Sequence, residues 1–423
     1  MSPKITPASD LKEYIECLAR AAKKASVGLR SLSANAKNEA LEAVAQAIDS
    51  QRSAVRAANA RDVERAARSG LPPAMVDRLT LTDARIDQII RALRDVAALE
   101  DPVGEIIGSR RPSGFTLEQV RTPIGVIAMI YESRPNVTVD AAALCLKSGN
   151  AAILRGGSEA RESSLALVEC IREGLRKADV DGQAVQYVDR TEHEAIDWLV
   201  RQAGIIDLVV PRGREALIRR VTENATVPVI KHYKGVCHIY VDETADLPMA
   251  AEVVTNSKVN RPGTCNALEK LLVQESVAER FLPMVRQKMP QVEFRGDDRV
   301  HAILPDTRPV TEAEWYEEYL DLVLAVKVVR GMDEAVAHIE KYGSSHTDGI
   351  CATDARRIEE FVGRVDSAVV VVNASTRLND GGVFGLGAEM GISTDKLHAR
   401  GPMGLKELTT YKWVLRGNGN LRT

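Results

Sequence analysis

A cysteine stands at position 265 between the pair Pro262-Gly263 and the apolar-rich run Leu268 to Val273. Pro-Gly is a turn signal, because proline fixes φ and glycine accepts backbone angles that other residues avoid. The run after it has the length and branching of a buried strand, with a short helix as the other reading. A thiol held at the end of a turn, beside backbone N–H groups, can lose its proton and attack a carbonyl carbon. An isolated cysteine also reads as a small buried hydrophobe. The other cysteines, at 17, 145, 170, 237 and 351, are scattered with no C-x-x-C pair, which fits reduced thiols. His232 and His238 make a loose pair across a turn. Zinc would need more ligands than that neighbourhood supplies, so the sequence is read as binding no metal.

Two further stretches could hold an anion. Strand-like Ala151 to Leu154 runs into Arg155-Gly156-Gly157-Ser158, and Ile205 to Val210 runs into Pro211-Arg212-Gly213-Arg214. Glycine at a strand-to-helix join lets a ligand approach the backbone, and the N-terminus of the following helix favours phosphate. Two such joins, each with arginine, suggest a nucleotide phosphate or ribose site. Neither has the G-x-G-x-x-G spacing, and ordinary loop glycine is the competing reading. A third polar loop, Glu132 to Thr138, follows the doubly apolar run Gly125 to Tyr131 and opens a helix expected from about Val139 to Lys147. It contains Asn136, which reads either as a functional amide or as a helix cap. His346, in the loop Gly343 to Ile350, reads as a substrate contact or as a hydrogen-bonded loop histidine.

The elements that must position these groups alternate strand and helix. Residues from about Leu11 to Ala98 have helical periodicity, with Pro72-Pro73 as a break and Asp101-Pro102 as the end. Glu105 to Gly108 and Phe115 to Val120 flank Pro112-Ser113-Gly114 as a β-hairpin. A second α/β region follows Asp242, with strands at Leu322 to Val329 and Ala368 to Val372, and the tail from Leu408 to Leu415 reads as a strand.

The composition narrows the function. The 423 residues allow two or three domains. With 56 basic and 59 acidic residues the net charge is −3, against a general binder of nucleic acid or membrane surface. Aromatics at 4% are too few for base-stacking platforms. Met1 to Thr6 lacks the apolar core of a secretory signal, so a cytoplasmic location is expected.

Four stretches in order resemble the γ-glutamyl phosphate reductase branch of the aldehyde dehydrogenase superfamily. They are Glu132-Ser133-Arg134-Pro135-Asn136, Arg261 to Asn266, Gly343 to Ile350, and Phe384 to Ser393 continued by Lys396 to Pro402. The resemblance implies an aldehyde dehydrogenase-like α/β fold with two Rossmann-like domains and a small β oligomerisation arm. Cofactor binding would fall to residues 1–104 and 123–236, and the nucleophile to 237–373. The arm would be 105–122 and 400–423, with 374–399 as a loop region near substrate and cofactor.

The same resemblance makes Cys265 the nucleophile and Asn136 an oxyanion donor. It places Arg155 and Gly213, with Gly156, Gly157 and Ser158, at the cofactor, and matches Glu318 to the glutamate that holds the nicotinamide ribose. Ser158 stands where a lysine is expected and Arg214 where a second glycine is expected. Arg134, Arg261 and His346 become candidate substrate contacts, with surface salt bridges as the competing role of the arginines. The implied reaction is NADPH-dependent reduction of γ-glutamyl phosphate to glutamate 5-semialdehyde in proline biosynthesis. A homo-oligomer, and a glutamate 5-kinase that hands over the labile acyl phosphate, are the implied partners.

Hydrolytic aldehyde dehydrogenases carry a water-activating glutamate ahead of the cysteine. The stretch Asn224 to Val241, where it should fall, contains no carboxylate. A thioester that must wait for hydride is better served by such a site. An aldehyde oxidiser is the second reading, and a binding protein that kept only the fold is the third.

Overall fold

The computed structural model describes residues 7–112, 114–132 and 134–422. Ser113 of the expected hairpin turn, Ser133 of the expected polar loop and the N-terminal Met1 to Thr6 lie outside the described residues. The chain divides into two compact units: Met1–Lys231, Leu386–Gly391 and Met403–Thr423 in one, His232–Gly385 and Ile392–Pro402 in the other.

The first unit begins with helices Pro7–Leu29, Ala34–Ser50, Arg52–Arg68, Pro73–Leu79 and Asp83–Ala98. Ser33 and Thr82 cap two of them by accepting from the N–H of Ala36 and Arg85. Pro73 starts a helix at its first turn, where a missing N–H costs nothing. A four-stranded sheet follows in the order Val185–Tyr187, Ala151–Arg155, Val126–Tyr131, Leu208–Arg212, with every pairing parallel. Its two central strands are buried at every position, which is why they read as continuous apolar runs. The first strand in sequence lies between the second and the fourth, so the order reverses between Val126–Tyr131 and Leu208–Arg212. Open α/β sheets bind ligands beyond the carboxyl ends of strands at such a reversal.

The expected hairpin is present as Ile106–Arg110 and Thr116–Pro123, antiparallel, with the tail strand Thr409–Arg416 added antiparallel on the other side. Tyr411, Trp413 and Leu415 of the tail strand are exposed.

The second unit holds a seven-stranded sheet in which every pairing is parallel. Its order is Arg308–Pro309, Glu293–Gly296, Val323–Val329, Leu268–Gln274, Cys237–Val241, Thr347–Cys351, Val369–Val372. The run after Cys265 is thus a strand, buried throughout, and not a short helix. Apolar residues of helices Leu247–Val259 and Glu275–Lys288 form one core with the sheet. Residues of Met332–Tyr342 and Ala355–Arg364 form another. This is the two-sided cover that an all-parallel sheet requires.

Candidate active site

In the second unit the chain leaves helix Leu247–Val259, turns through Pro262-Gly263, and presents Cys265 just before the central strand Leu268–Gln274. Ala267 N–H donates to the Thr264 carbonyl at 3.0 Å, closing a tight turn around Cys265 and Asn266. Cys265 is half-buried, Cys17 is exposed on a helix, and the other four cysteines are buried.

The backbone of Cys265 is gripped from the neighbouring strand. A β-carbon on Gly235 would stand 1.8 Å from the Cys265 carbonyl oxygen, so only glycine lets the two segments meet. The Cys237 thiol donates to the same carbonyl at 3.2 Å. Burial pushes the Cys237 thiol well above its usual value, so it stays protonated as that donor. The N–H of Gly235 donates to Glu318 Oε1 at 2.9 Å, which brings Glu318 to the segment leading into strand Cys237–Val241. The segment carrying Glu318 is held in turn by strand Leu268–Gln274, just beyond Cys265. Buried Glu269 accepts from the N–H groups of Tyr319 and Leu320, and buried Lys270 donates to the Glu317 carbonyl.

The side of the turn is cationic. Arg377 bonds Asn266 Oδ1. Burial first, and then nearby Arg261, hold Arg377 below its usual value, while Cys265 among its neighbours pulls it up. The contact with Asn266 sets a fixed positive charge beside the cysteine turn. Arg261 is exposed. Sequence reasoning missed Arg377; its only signal was a place at the carboxyl end of strand Val369–Val372.

His346 is fully buried at the start of strand Thr347–Cys351, after Ser345 with φ of 57°. Its Nδ1 lies 2.8 Å from the Thr347 hydroxyl, which also accepts from the Asn379 amide at 2.7 Å. Asn379 receives the Asn266 amide on its carbonyl, so a chain of polar contacts links His346 to the residue after the cysteine. His232 comes to the same place, its ring 5.2 Å from that of His346. His238 does not join it. The His238 ring is fully buried, with Nδ1 3.1 Å from Asp348 and 3.1 Å from the Val236 carbonyl.

In the first unit, the helix after strand Val126–Tyr131 begins at Pro135, earlier than the periodicity indicated. Proline presets the first helical φ, so Asn136 sits inside the first turn and is not a cap; Arg134, exposed, takes the cap position. The Asn136 amide donates to Asp140 Oδ2 at 2.9 Å, one turn on. Burial pushes the Asp140 carboxyl up to about 6, against the opposing pull of Asn136 and Arg212.

Of the cofactor candidates in this unit, Gly213 follows the strand at the reversal of the sheet, and Arg155, Gly156, Gly157 and Ser158 stand at the carboxyl end of strand Ala151–Arg155. Gly156 lies against the rings of Tyr131 and Tyr187, and Gly157 against the Glu159 carboxylate, so neither has room for a β-carbon without movement. Ser158 is exposed at the start of a single 3-10 turn. Arg155 is only 7% exposed, and its guanidinium donates to the carbonyls of Gly156 and Thr191. It therefore braces the loop from behind and does not reach outward. At the other join Glu132 lies against Gly213 and accepts from the N–H of Arg214 at 3.3 Å, taking the helix N-terminus that a phosphate would use. A phosphate would reach that N-terminus only by displacing Glu132 from the Arg214 N–H.

Residues 5–311 match the aldehyde dehydrogenase family. The chain is 50% identical over 416 residues to the γ-glutamyl phosphate reductase of Thermodesulfovibrio yellowstonii, covering 98% of this chain and 100% of the relative. It is also 50% identical over 420 residues to that of Aquifex aeolicus, covering 97% of each. The crystal structure of γ-glutamyl phosphate reductase from Thermotoga maritima superposes with a TM-score of 0.95 at 46% identity, covering 97% of this chain and 100% of that one. The chain belongs to the aldehyde dehydrogenase family of oxidoreductases, in its γ-glutamyl phosphate reductase branch.

Proposed function

We propose that this protein reduces γ-glutamyl phosphate with NADPH to glutamate 5-semialdehyde and phosphate, through a thioester on Cys265, in proline biosynthesis. The observation that carries the reading is Cys265 itself. It is half-buried in a clamped turn beside a guanidinium, in a chain half-identical along its whole length to reductases of that name.

The Cys265 thiolate attacks the acyl carbon, the C–O bond to phosphate breaks, and phosphate departs with the electron pair. Phosphate is a good leaving group and needs little acid assistance. Asn136 is assigned to the developing oxyanion, with Asp140 fixing the rotamer of its amide. The hydride that takes the Cys265 thioester to the thiohemiacetal level would come from a nicotinamide cofactor held at Gly156, Gly157, Gly213 and Glu318. That adduct collapses by expelling the Cys265 thiolate, and the aldehyde leaves. No carboxylate occurs between Asn224 and Val241 to activate water, so the thioester persists until reduction.

Gly156, Gly157, Ser158 and Gly213 are assigned to the cofactor phosphates and ribose, with Arg155 holding the first loop in shape. Glu318, tied to Gly235 beside the nucleophile, is assigned to the nicotinamide ribose. Arg261 and Arg134 are assigned to the phosphate or carboxylate of the substrate, which arginine binds through paired donors. The sheet of Ile106–Arg110, Thr116–Pro123 and Thr409–Arg416, with its exposed aromatic strand, is assigned to self-association. No helix among the described residues is long and apolar enough to cross a membrane.

Cofactor choice is tested in the reverse direction with glutamate 5-semialdehyde, phosphate, and either NADP⁺ or NAD⁺. A higher kcat/KM with NADP⁺ supports the assignment, and equal or higher kcat/KM with NAD⁺ removes it.

A further inference from the structure

The second unit gathers His232, Cys265 and His346 so that one ligand atom from each lies within 4.8 Å of the others. Among the described residues this is the one such grouping of three histidine, cysteine or carboxylate side chains. No local motif hints at it, since the three residues are far apart in the chain and lie on three different segments.

The chemistry of the set is that of a borderline-soft divalent cation. Two imidazoles and a thiolate are zinc ligands, with Zn–N of about 2.0–2.1 Å and Zn–S of about 2.3 Å. Tetrahedral angles at those lengths put the ligand atoms about 3.3–3.6 Å apart, so the trio must contract by roughly 1 Å. Side-chain rotation of Cys265 and His232, both half-buried, can supply that. His232 is already oriented. Its Nδ1 lies 2.8 Å from the Ile392 carbonyl, which can only accept, so the proton is on Nδ1 and the lone pair on Nε2. A metal-ligating histidine commonly donates its other N–H in this way to a backbone carbonyl. The two rings stand edge to face at 69° and do not stack.

We propose that Cys265, His232 and His346 form a reversible site for a zinc-class divalent cation, which occupies the thiol and blocks its attack on the substrate. Binding forms an S–metal bond and two N–metal bonds, any proton on the sulfur passing to solvent, with no change of oxidation state. Three protein ligands leave a fourth position to water, so the site is open, unlike a structural zinc centre. Arg377 beside the turn opposes the cation's charge, which keeps the site exchangeable.

Binding and inhibition are separable, and only inhibition rests on Cys265 being the nucleophile. The full chain, treated with chelator and exchanged into metal-free buffer, is titrated with Zn²⁺ against a chromophoric chelator, and with Co²⁺ while absorbance is followed. One equivalent should bind, and Co²⁺ should give a thiolate charge-transfer band. Cys265→Ala and His232→Ala should each weaken Zn²⁺ by about tenfold or more, since even outer-shell changes cost about 10–100-fold. Unchanged thermal melting shows that each variant is folded. Zinc affinity unaltered in both folded variants, or no charge-transfer band, overturns the site. Binding at the site with full retention of activity would leave the site standing and remove Cys265 as the nucleophile.

Discussion

The α-carbon of Gly235 rests on the carbonyl of Cys265 so closely that an added methyl would lie 1.8 Å from that oxygen. The contact fixes how far the cysteine turn stands from strand Cys237–Val241, and hence where the thiol points. Gly235→Ala must push the turn away. A displacement of about 1 Å at a reacting group can cost about 10²-fold in rate. The variant should therefore lose about 10² in kcat while remaining folded, as read by steady-state kinetics and a thermal melt. Near-normal kcat would mean that the turn is not what places the thiol.

Asn136 offers its amide from the first turn of its helix. Removing one oxyanion donor costs about 2.7–4 kcal/mol of barrier, or about 10²–10³ in kcat. Asn136→Ala should show that loss in kcat with little change in KM. A loss confined to KM would make Asn136 a binding residue and not an oxyanion donor.

Asp140 gives this amide a pH dependence. Its carboxyl titrates at about 6 because burial disfavours the charge. Above that value the carboxylate accepts from Asn136; below it the acceptor is weakened. Activity should fall as pH drops through about 6, and Asp140→Asn should remove that limb while lowering kcat. Stability runs the other way, because the folded value is raised from the ordinary 3.8. Its contribution is full below 3.8 and is lost as pH rises through about 6. Opposite trends in kcat and Tm across this window, both flattened in Asp140→Asn, are the signature. An acid limb that survives in the variant would assign it to another group.

Arg377 bonds Asn266, the residue after Cys265, and places a positive charge beside that turn. Arg377→Met should slow alkylation of Cys265 by iodoacetamide at neutral pH several-fold, read by peptide mass mapping. Unchanged alkylation would reduce Arg377 to a brace for Asn266.

Legibility in the sequence depends on how local each signal is. Strands buried on both faces announce themselves as apolar runs, so Val126–Tyr131, Ala151–Arg155 and Leu268–Gln274 are legible to within one residue at one end. The helix starts at Pro135, ahead of the apolar periodicity that begins near Val139, because its first turn is polar and carries no apolar signal. Cys265 could be singled out because its turn and strand are local. His232, Arg377 and Glu132 could not, since each acts through residues distant in sequence. Arg155 shows the opposite failure: the residue was found, but its guanidinium faces backbone carbonyls that no sequence pattern reveals.

Acyl-phosphate chemistry at Cys265 is tested most directly by the reverse reaction, because the forward substrate is labile. The protein is given glutamate 5-semialdehyde and NADP⁺, with and without phosphate, and NADPH is followed by absorbance, with Cys265→Ala alongside. NADPH formation that requires phosphate and disappears in the variant is the predicted result. NADPH formation independent of phosphate would show water as the acyl acceptor, and the protein would be an aldehyde oxidiser instead.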